Sequence, residues 1–400
     1  MIGEKIVILD LGSNKIKIMV LSLDKENYIS IHSKNSVHSS GIKKGNVVDA
    51  DSLASSIRRC ASLVEKELNF EIKNIYVGVN SIFFNFLTFG LTRDIGSYEI
   101  EEKRDLQNLI NQASTIFYQN FNDNKVLHFF NSGFYLDKRN YVENPIGLRA
   151  KTLDVIFSIL SLDKNIISNY DKVFKLSGLK VKKYFFSPYA SSFLSADQEN
   201  LEKGFVNIDI GYDKTSISIY ENSKFKFSKI ISLGSYHINN DLMKALDIDR
   251  NLSEKIKCKY EDILSNNIDQ NLLNEINEKK ISREIIVRII DARLNEITEY
   301  IVKEIMFCNS FNKSSRKIIV SGGGSASEVL IGKISQKLNV KVDYAKQSFP
   351  IKNTEFSIFS DYMVCLGIAK LIYFNNKDEI KSYSDQKKGF FERFYSLFLK

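Results

Sequence analysis

The chain has 400 residues, of which 44% are hydrophobic and 26% charged, with a formal net charge of +8. That apolar share supports packed cores and excludes long disorder for the body, while the length allows more than one domain. The positive balance favours acidic surfaces such as anionic lipid, nucleic acid or an acidic peptide, although a coding bias toward lysine, asparagine and isoleucine gives the same excess.

The opening MIGEKIVILDLG lacks the basic and long apolar regions of a secretion signal. No stretch reads as long and apolar enough to cross a bilayer, so a cytoplasmic protein is expected. Cys60, Cys258, Cys308 and Cys365 lie far apart without a CxxC pair, which argues against a zinc site or redox dithiol and for a reducing compartment. In IVILDLGSNKIKIMVLSL, residues 6–23, an apolar run ends at Asp10, turns at Gly12 and continues with Ile16, Ile18 and Val20 alternating. Period-two alternation around a Gly-Ser-Asn turn predicts a β-hairpin.

Residues 81–161 read as an inserted α+β module: a strand, a helix over 101–118, then strands over 126–137 and 147–160. Half a chain after the first hairpin, FVNIDIGYDKTSISIY (205–220) repeats its plan. Asp209 matches Asp10, Gly211 matches Gly12 and Lys214 matches Lys15. Two such bends suggest two related halves facing a cleft. Backbone N–H groups at the bends can hold phosphate oxygens, and glycine lets them approach closely. The carboxylates repel phosphate but can hold the water shell of Mg²⁺, and Lys15 can add compensating charge. A helix over 282–307 carries Ile286, Ile290, Leu294, Ile297, Ile301 and Ile305 on one stripe, with Arg288, Arg293 and Lys303 outside it.

In RKIIVSGGGSASEVLIGKISQKL (316–338) a strand meets Gly322, Gly323 and Gly324 before a helix. Such a junction admits a ring or phosphate. The spacing is not GxGxxG, which argues against a dinucleotide-binding dehydrogenase. Residues 375–388 are polar and read as a linker. Beyond them Phe390, Phe391, Phe394, Tyr395, Leu397 and Phe398 follow helical spacing between lysines. This predicts a short amphipathic helix over 389–400, suited to an anionic membrane interface.

The three glycine-containing elements, in this order, resemble the actin/hexokinase/DnaK-type ATPase superfamily, and within it the FtsA family. Further stretches carry the likeness: NVVDADSLASSIRRCASLVEK (46–66), NIYVGVNS (74–81), NPIGLRAKTLDVIFSIL (144–160), SEKIKCKY (253–260) and ISREIIVRIIDARLNEI (281–297). The resemblance implies an α/β, actin-like (ribonuclease-H-like), two-lobed ATPase fold with an inserted FtsA-type subdomain. It divides the chain into a lobe I core (1–80 and 162–203), the insertion (81–161), a lobe II core (204–232 and 308–374, its last helix free to pack back on lobe I) and a subdomain over 233–307.

It also implies ATP and Mg²⁺ as cofactors. Asp10, Gly12, Ser13, Asn14 and Lys15 match the first phosphate loop, and Asp209, Gly211 and Thr215 the second. Gly234 falls in the following glycine motif. Glu254 and Lys257 match the ribose and base contacts, although on residue pattern alone they read as an exposed helix face. Gly322, Gly323 and Gly324 match the adenosine loop, and Asp10 and Asp209 would hold the metal through water. Arg293 matches a contact for the C-terminal peptide of FtsZ. The expected partners are FtsZ, further copies of the chain in filaments, anionic lipid at the cytoplasmic face of the cell membrane, and other division proteins through the insertion; nucleic acid is not among them.

The second loop departs from the family's D-x-G-G-G-T-T by placing Tyr212 and Asp213 where the family has two small glycines. ATP binding with weak or absent hydrolysis is therefore expected, and no catalytic residue is assigned. A pilus-assembly homologue of the PilM type and a small-molecule kinase of the same superfamily are the alternatives.

Overall fold

Two five-stranded sheets built to one plan form the frame of the computed structural model, which describes residues 4–23, 28–195, 197–308, 317–346, 351 and 361–382. The first sheet runs Lys180–Phe186, Asn74–Val79, Ile6–Leu11, Lys15–Leu23, Ile29–His38. The second runs Val342–Tyr344, Lys317–Ser321, Phe205–Ile210, Thr215–Glu221, Lys224–Ile231. In each, three consecutive strands form an antiparallel meander. Two later strands then add in parallel beyond the first. Ile6–Leu11 and Phe205–Ile210 are the central strands, nearly every residue of both is buried, and both read as unbroken apolar runs for that reason.

Equivalent registers place the paired carboxylates alike. Asp10 lies opposite Lys17 and beside Gly78, while Asp209 lies opposite Ser216 and beside Ser321. Helix Ala50–Leu68 covers the first sheet with Leu53, Ile57, Cys60, Ala61 and Val64. Asp49 caps it by accepting from the N–H groups of Asp51 and Ser52. In the second lobe helix Arg283–Phe307 buries all six residues of its apolar stripe. Strand Lys317–Ser321 passes through the three glycines to helix Glu328–Leu338, which turns Leu330, Ile331 and Ile334 inward.

The insertion is a four-stranded antiparallel sheet, Asn85–Asp94, Thr152–Asp163, Asn124–Leu136, Asn140–Val142, with helix Gln107–Asn120 packed on it. It has its own core, including Leu109, Phe117, Phe134, Leu153 and Phe157. Two boundaries differ from the sequence reading. The regular α-helix starts at Gln107, after a wide turn over Glu102–Leu106, because buried Asp105 accepts from the Glu101 N–H and pairs with Arg93 and Arg104. The last strand starts at Thr152 because Pro145 and Gly147 form a turn, closed by Leu148 N–H to Pro145 O at 3.1 Å.

Helix Met363–Ser382 leaves lobe II and packs on lobe I against helix Ser187–Ser195, burying Cys365, Leu366, Ile368 and Ala369. It runs through residues 375–382, the first part of the segment read as a linker. An anchored helix extends at the cost of one residue per new hydrogen bond and needs no apolar stripe, and NNKDEIKS contains neither glycine nor proline. Residues 383–388 and the aromatic tail lie outside the described residues. At the base of the two lobes Phe86, Phe130, Tyr189, Tyr220 and Phe225 form a continuous ring cluster, with Phe130 and Phe225 centroids 5.2 Å apart. It joins the insertion, lobe I and lobe II.

Candidate nucleotide cleft

Both hairpin bends open onto one cleft of about 430 Å³ between the lobes. Asp10 and Asp209 sit at its floor, close enough that the charge of Asp209 helps raise the pKa of Asp10. Burial pushes Asp10 up to about 6, against the pull of Lys17, and Asp209 adds to the rise. Burial raises Asp209 as well, against a hydrogen bond from the Ser191 hydroxyl at 3.3 Å and the charges of Lys17 and Lys214. Two carboxylates that resist ionisation together are a donor set suited to a hydrated divalent cation, which lowers the free energy of the charged pair. Among the described residues no cluster of three or more His, Cys, Asp or Glu could hold a metal, so a cation here would keep most of its waters.

Gly12, Ser13, Asn14, Lys15, Gly211, Glu254, Lys257, Gly322, Gly323 and Gly324 also line the cleft. Two expected residues do not. The buried Thr215 donates its hydroxyl to Leu233 O at 2.8 Å and serves the hairpin. Gly234 is a spacer: a Cβ there would stand 2.6 Å from Lys214 N and Tyr212 O, so glycine lets the next segment dock on the bend. Lys15 is exposed at the rim, and the positive charges acting on Asp10 come from Lys17 and Lys214. Strand pairing is the reason, because the residue opposite Asp10 is Lys17. Counting across the hairpin would have found it.

Glu254 and Lys257 are more than an exposed helix face. They bond at 2.8 Å, and both bond buried Asn239, whose Nδ2 donates to Glu254 and whose Oδ1 accepts from Lys257, each at 2.8 Å. Burial works to raise the Glu254 pKa, but Lys257 and Asn239 outweigh it and hold the carboxyl below its ordinary value. At the far wall Glu261 accepts from the Glu328 N–H at 2.7 Å and so satisfies the start of the helix that follows the glycines. Asn80 Oδ1 is buried and unpartnered among the described residues, and the side chain lines the cleft.

Arg293 lies apart from the cleft. Its guanidinium grips Asp241 through two bonds of 2.6 and 2.9 Å and also pairs with Glu296. Arg293→Ala should therefore lower stability by about 1–2 kcal/mol, read in a urea titration, before any partner is considered. An unchanged midpoint would mean the forked pair contributes nothing.

This is the fold of the actin-like ATPases. Among solved structures, a chain of the PilM-PilN type IV pilus biogenesis complex superposes with a TM-score of 0.65 over 91% of this chain and 97% of that one, at 14% identity. MreB5 of Spiroplasma citri, solved with ADP, superposes with a TM-score of 0.50 over 94% of this chain and 98% of that one, at 12% identity. The profile for cell division protein FtsA matches residues 206–365, and that for the SHS2 domain inserted in FtsA matches residues 88–161. The FtsA of Buchnera aphidicola subsp. Schizaphis graminum is 25% identical over 97% of this chain and 96% of its own length. That of Bacillus subtilis is 25% identical over 76% of this chain and 70% of its own. The chain belongs to the FtsA family of actin-like cell division proteins.

Proposed function

We propose that this protein is a peripheral cell-division adaptor that binds an adenine nucleotide with Mg²⁺, assembles with copies of itself, and tethers FtsZ to the cytoplasmic face of the cell membrane. The observation that carries the nucleotide reading is the pair Asp10 and Asp209, presented by two equivalent bends to one cleft. Asp10 and Asp209 would hold the metal through water, and bound Mg²⁺ supplies positive charge between the phosphates and this pair. Backbone N–H groups at Gly12–Lys15 and Gly211–Lys214 would hold phosphate oxygens, while Gly322–Gly324 and the Glu254–Lys257 pair flank the space left for the nucleoside. Arg293 spends its charge on Asp241 and Glu296, so an acidic FtsZ peptide would meet Arg288 and Lys303 on the same helix more readily.

Among the described residues no helix is long and apolar enough to cross a membrane. The anchoring reading rests on the sequence of residues 389–400, whose aromatic side chains could each contribute roughly 1.5–3 kcal/mol if fully buried, and less at interfacial depth. One such helix holds weakly, and several on one polymer act together. Co-sedimentation of the full chain with anionic vesicles tests this: binding is expected, and deletion of Gly389–Lys400 should abolish it. Failure of the full chain to bind vesicles would favour a PilM-like protein recruited by membrane partners, whose localisation in cells the deletion would leave intact. Calorimetric titration with an adenine nucleotide and Mg²⁺ tests the cleft, and a flat titration would end the nucleotide reading. Turnover of small phosphate acceptors would move the assignment to a kinase.

A further inference from the structure

The second bend carries Tyr212 and Asp213 where the family's loop has glycines, followed by Lys214. Asp213 is 7% exposed and Lys214 6% exposed. The Asp213 carboxylate lies between the two bends and is held from both sides. Its Oδ2 accepts from the Lys44 N–H of lobe I at 2.6 Å. Its Oδ1 lies 3.2 Å from Lys214 Nζ. The Ser13 hydroxyl of the first bend also hydrogen-bonds it, and Lys214 Nζ reaches that same hydroxyl at 3.2 Å. Burial works to raise the Asp213 pKa, yet these donors outweigh it and the group stays ionised at neutral pH.

A backbone N–H, a hydroxyl and an ammonium from two lobes, converging on one anionic oxygen pair between two phosphate-loop bends, are the partners a terminal phosphate would take. We propose that the Asp213 carboxylate is a built-in substitute for that phosphate, so that the cleft selects a nucleoside diphosphate over a triphosphate. The inference rests on the nucleotide reading above and refines it. A third phosphate would have to displace Asp213 from its donors or sit beside it as a like charge. Lys214 is already shared by Asp10, Asp209 and Asp213, so it has little charge to spare for one more anion. A diphosphate leaves those contacts intact, and the lobes stay bridged.

The test is calorimetric titration of the full chain with Mg²⁺ and either ADP or the non-hydrolysable β,γ-imido analogue of ATP. The wild type should bind ADP at least about tenfold more tightly than the analogue. Asp213→Gly, which restores the family's small residue, should narrow or invert that ratio through a gain for the triphosphate. Asp213→Asn keeps the volume and removes the charge; it should shift the ratio the same way by about threefold and serves if the glycine variant does not fold. Equal or tighter binding of the triphosphate by the wild type, or a ratio unmoved in the variants, overturns the selectivity and leaves the nucleotide site standing. No binding of either nucleotide by any of the three proteins overturns the site itself.

Discussion

Asp10→Asn should raise the thermal midpoint of the nucleotide-free protein at pH 7.5 and at the same time remove its magnesium-dependent nucleotide binding. The carboxyl is pushed from an ordinary 3.8 up to about 6 in the folded chain, chiefly by burial. The folded state therefore holds the proton more tightly than the unfolded state, and stability falls as pH rises through this window from about 4 to about 6. Above it the ionised group is a net cost. Two units correspond to roughly 3 kcal/mol at most, and solvent in the cleft reduces that, so a gain of about 1–2 kcal/mol and a midpoint higher by a few degrees are expected. The wild type should regain stability when Mg²⁺ and nucleotide are added, and the variant should not. Scanning calorimetry from pH 4.5 to 7.5, with and without a chelator, reads both effects. A destabilised variant, or one that keeps its magnesium response, would remove Asp10 from the role of metal-facing carboxylate.

Gly322→Ala should be the most damaging single methyl in the cleft. Gly322 has φ +84° and ψ 167°, a region essentially open to glycine alone. A Cβ there would also stand 2.3 Å from Asp209 Oδ1 and 2.6 Å from Ile210 O. Backbone strain and overpacking together should cost about 2–6 kcal/mol. The side chain that must yield is Asp209, so nucleotide affinity should drop with stability. Gly323→Ala is the control, since its Cβ would meet nothing within 4 Å and its φ is not positive. Denaturant midpoints of the two variants should differ by most of that amount. If they match, the close approach of the glycine turn to the second carboxylate is not what the residue is for.

Asp213 and Lys214 of the second bend are buried, Gly211 and Tyr212 half-buried, and the strand that follows is buried. Thr215, Ser216 and Ser218 are buried, Asn80 Nδ2 donates to Ser216 Oγ across the lobes at 3.3 Å, and Arg250 bonds both Asn14 and Tyr212. With these bonds in place the lobes are linked near the bends as well as through the aromatic cluster at their base. Loss of one cleft residue is therefore not expected to separate them.

Much of this was readable from residue order. The two hairpins, the helix stripe from Ile286 to Ile305 and the glycine junction at Gly322 are local patterns, and alternation, a 3.6-residue period and turn chemistry act within a few residues of themselves. What residue order could not supply were relations between distant segments. Thr215 turns away from the cleft because Leu233 O, 18 residues on, takes its hydroxyl. Arg293 is bound by Asp241, 52 residues away, and Asp213 receives its N–H from Lys44, 169 residues away. Backbone pattern follows from near neighbours in the chain. The charge state and free valence of a side chain depend on which remote groups packing brings within about 3 Å, and only folding selects those.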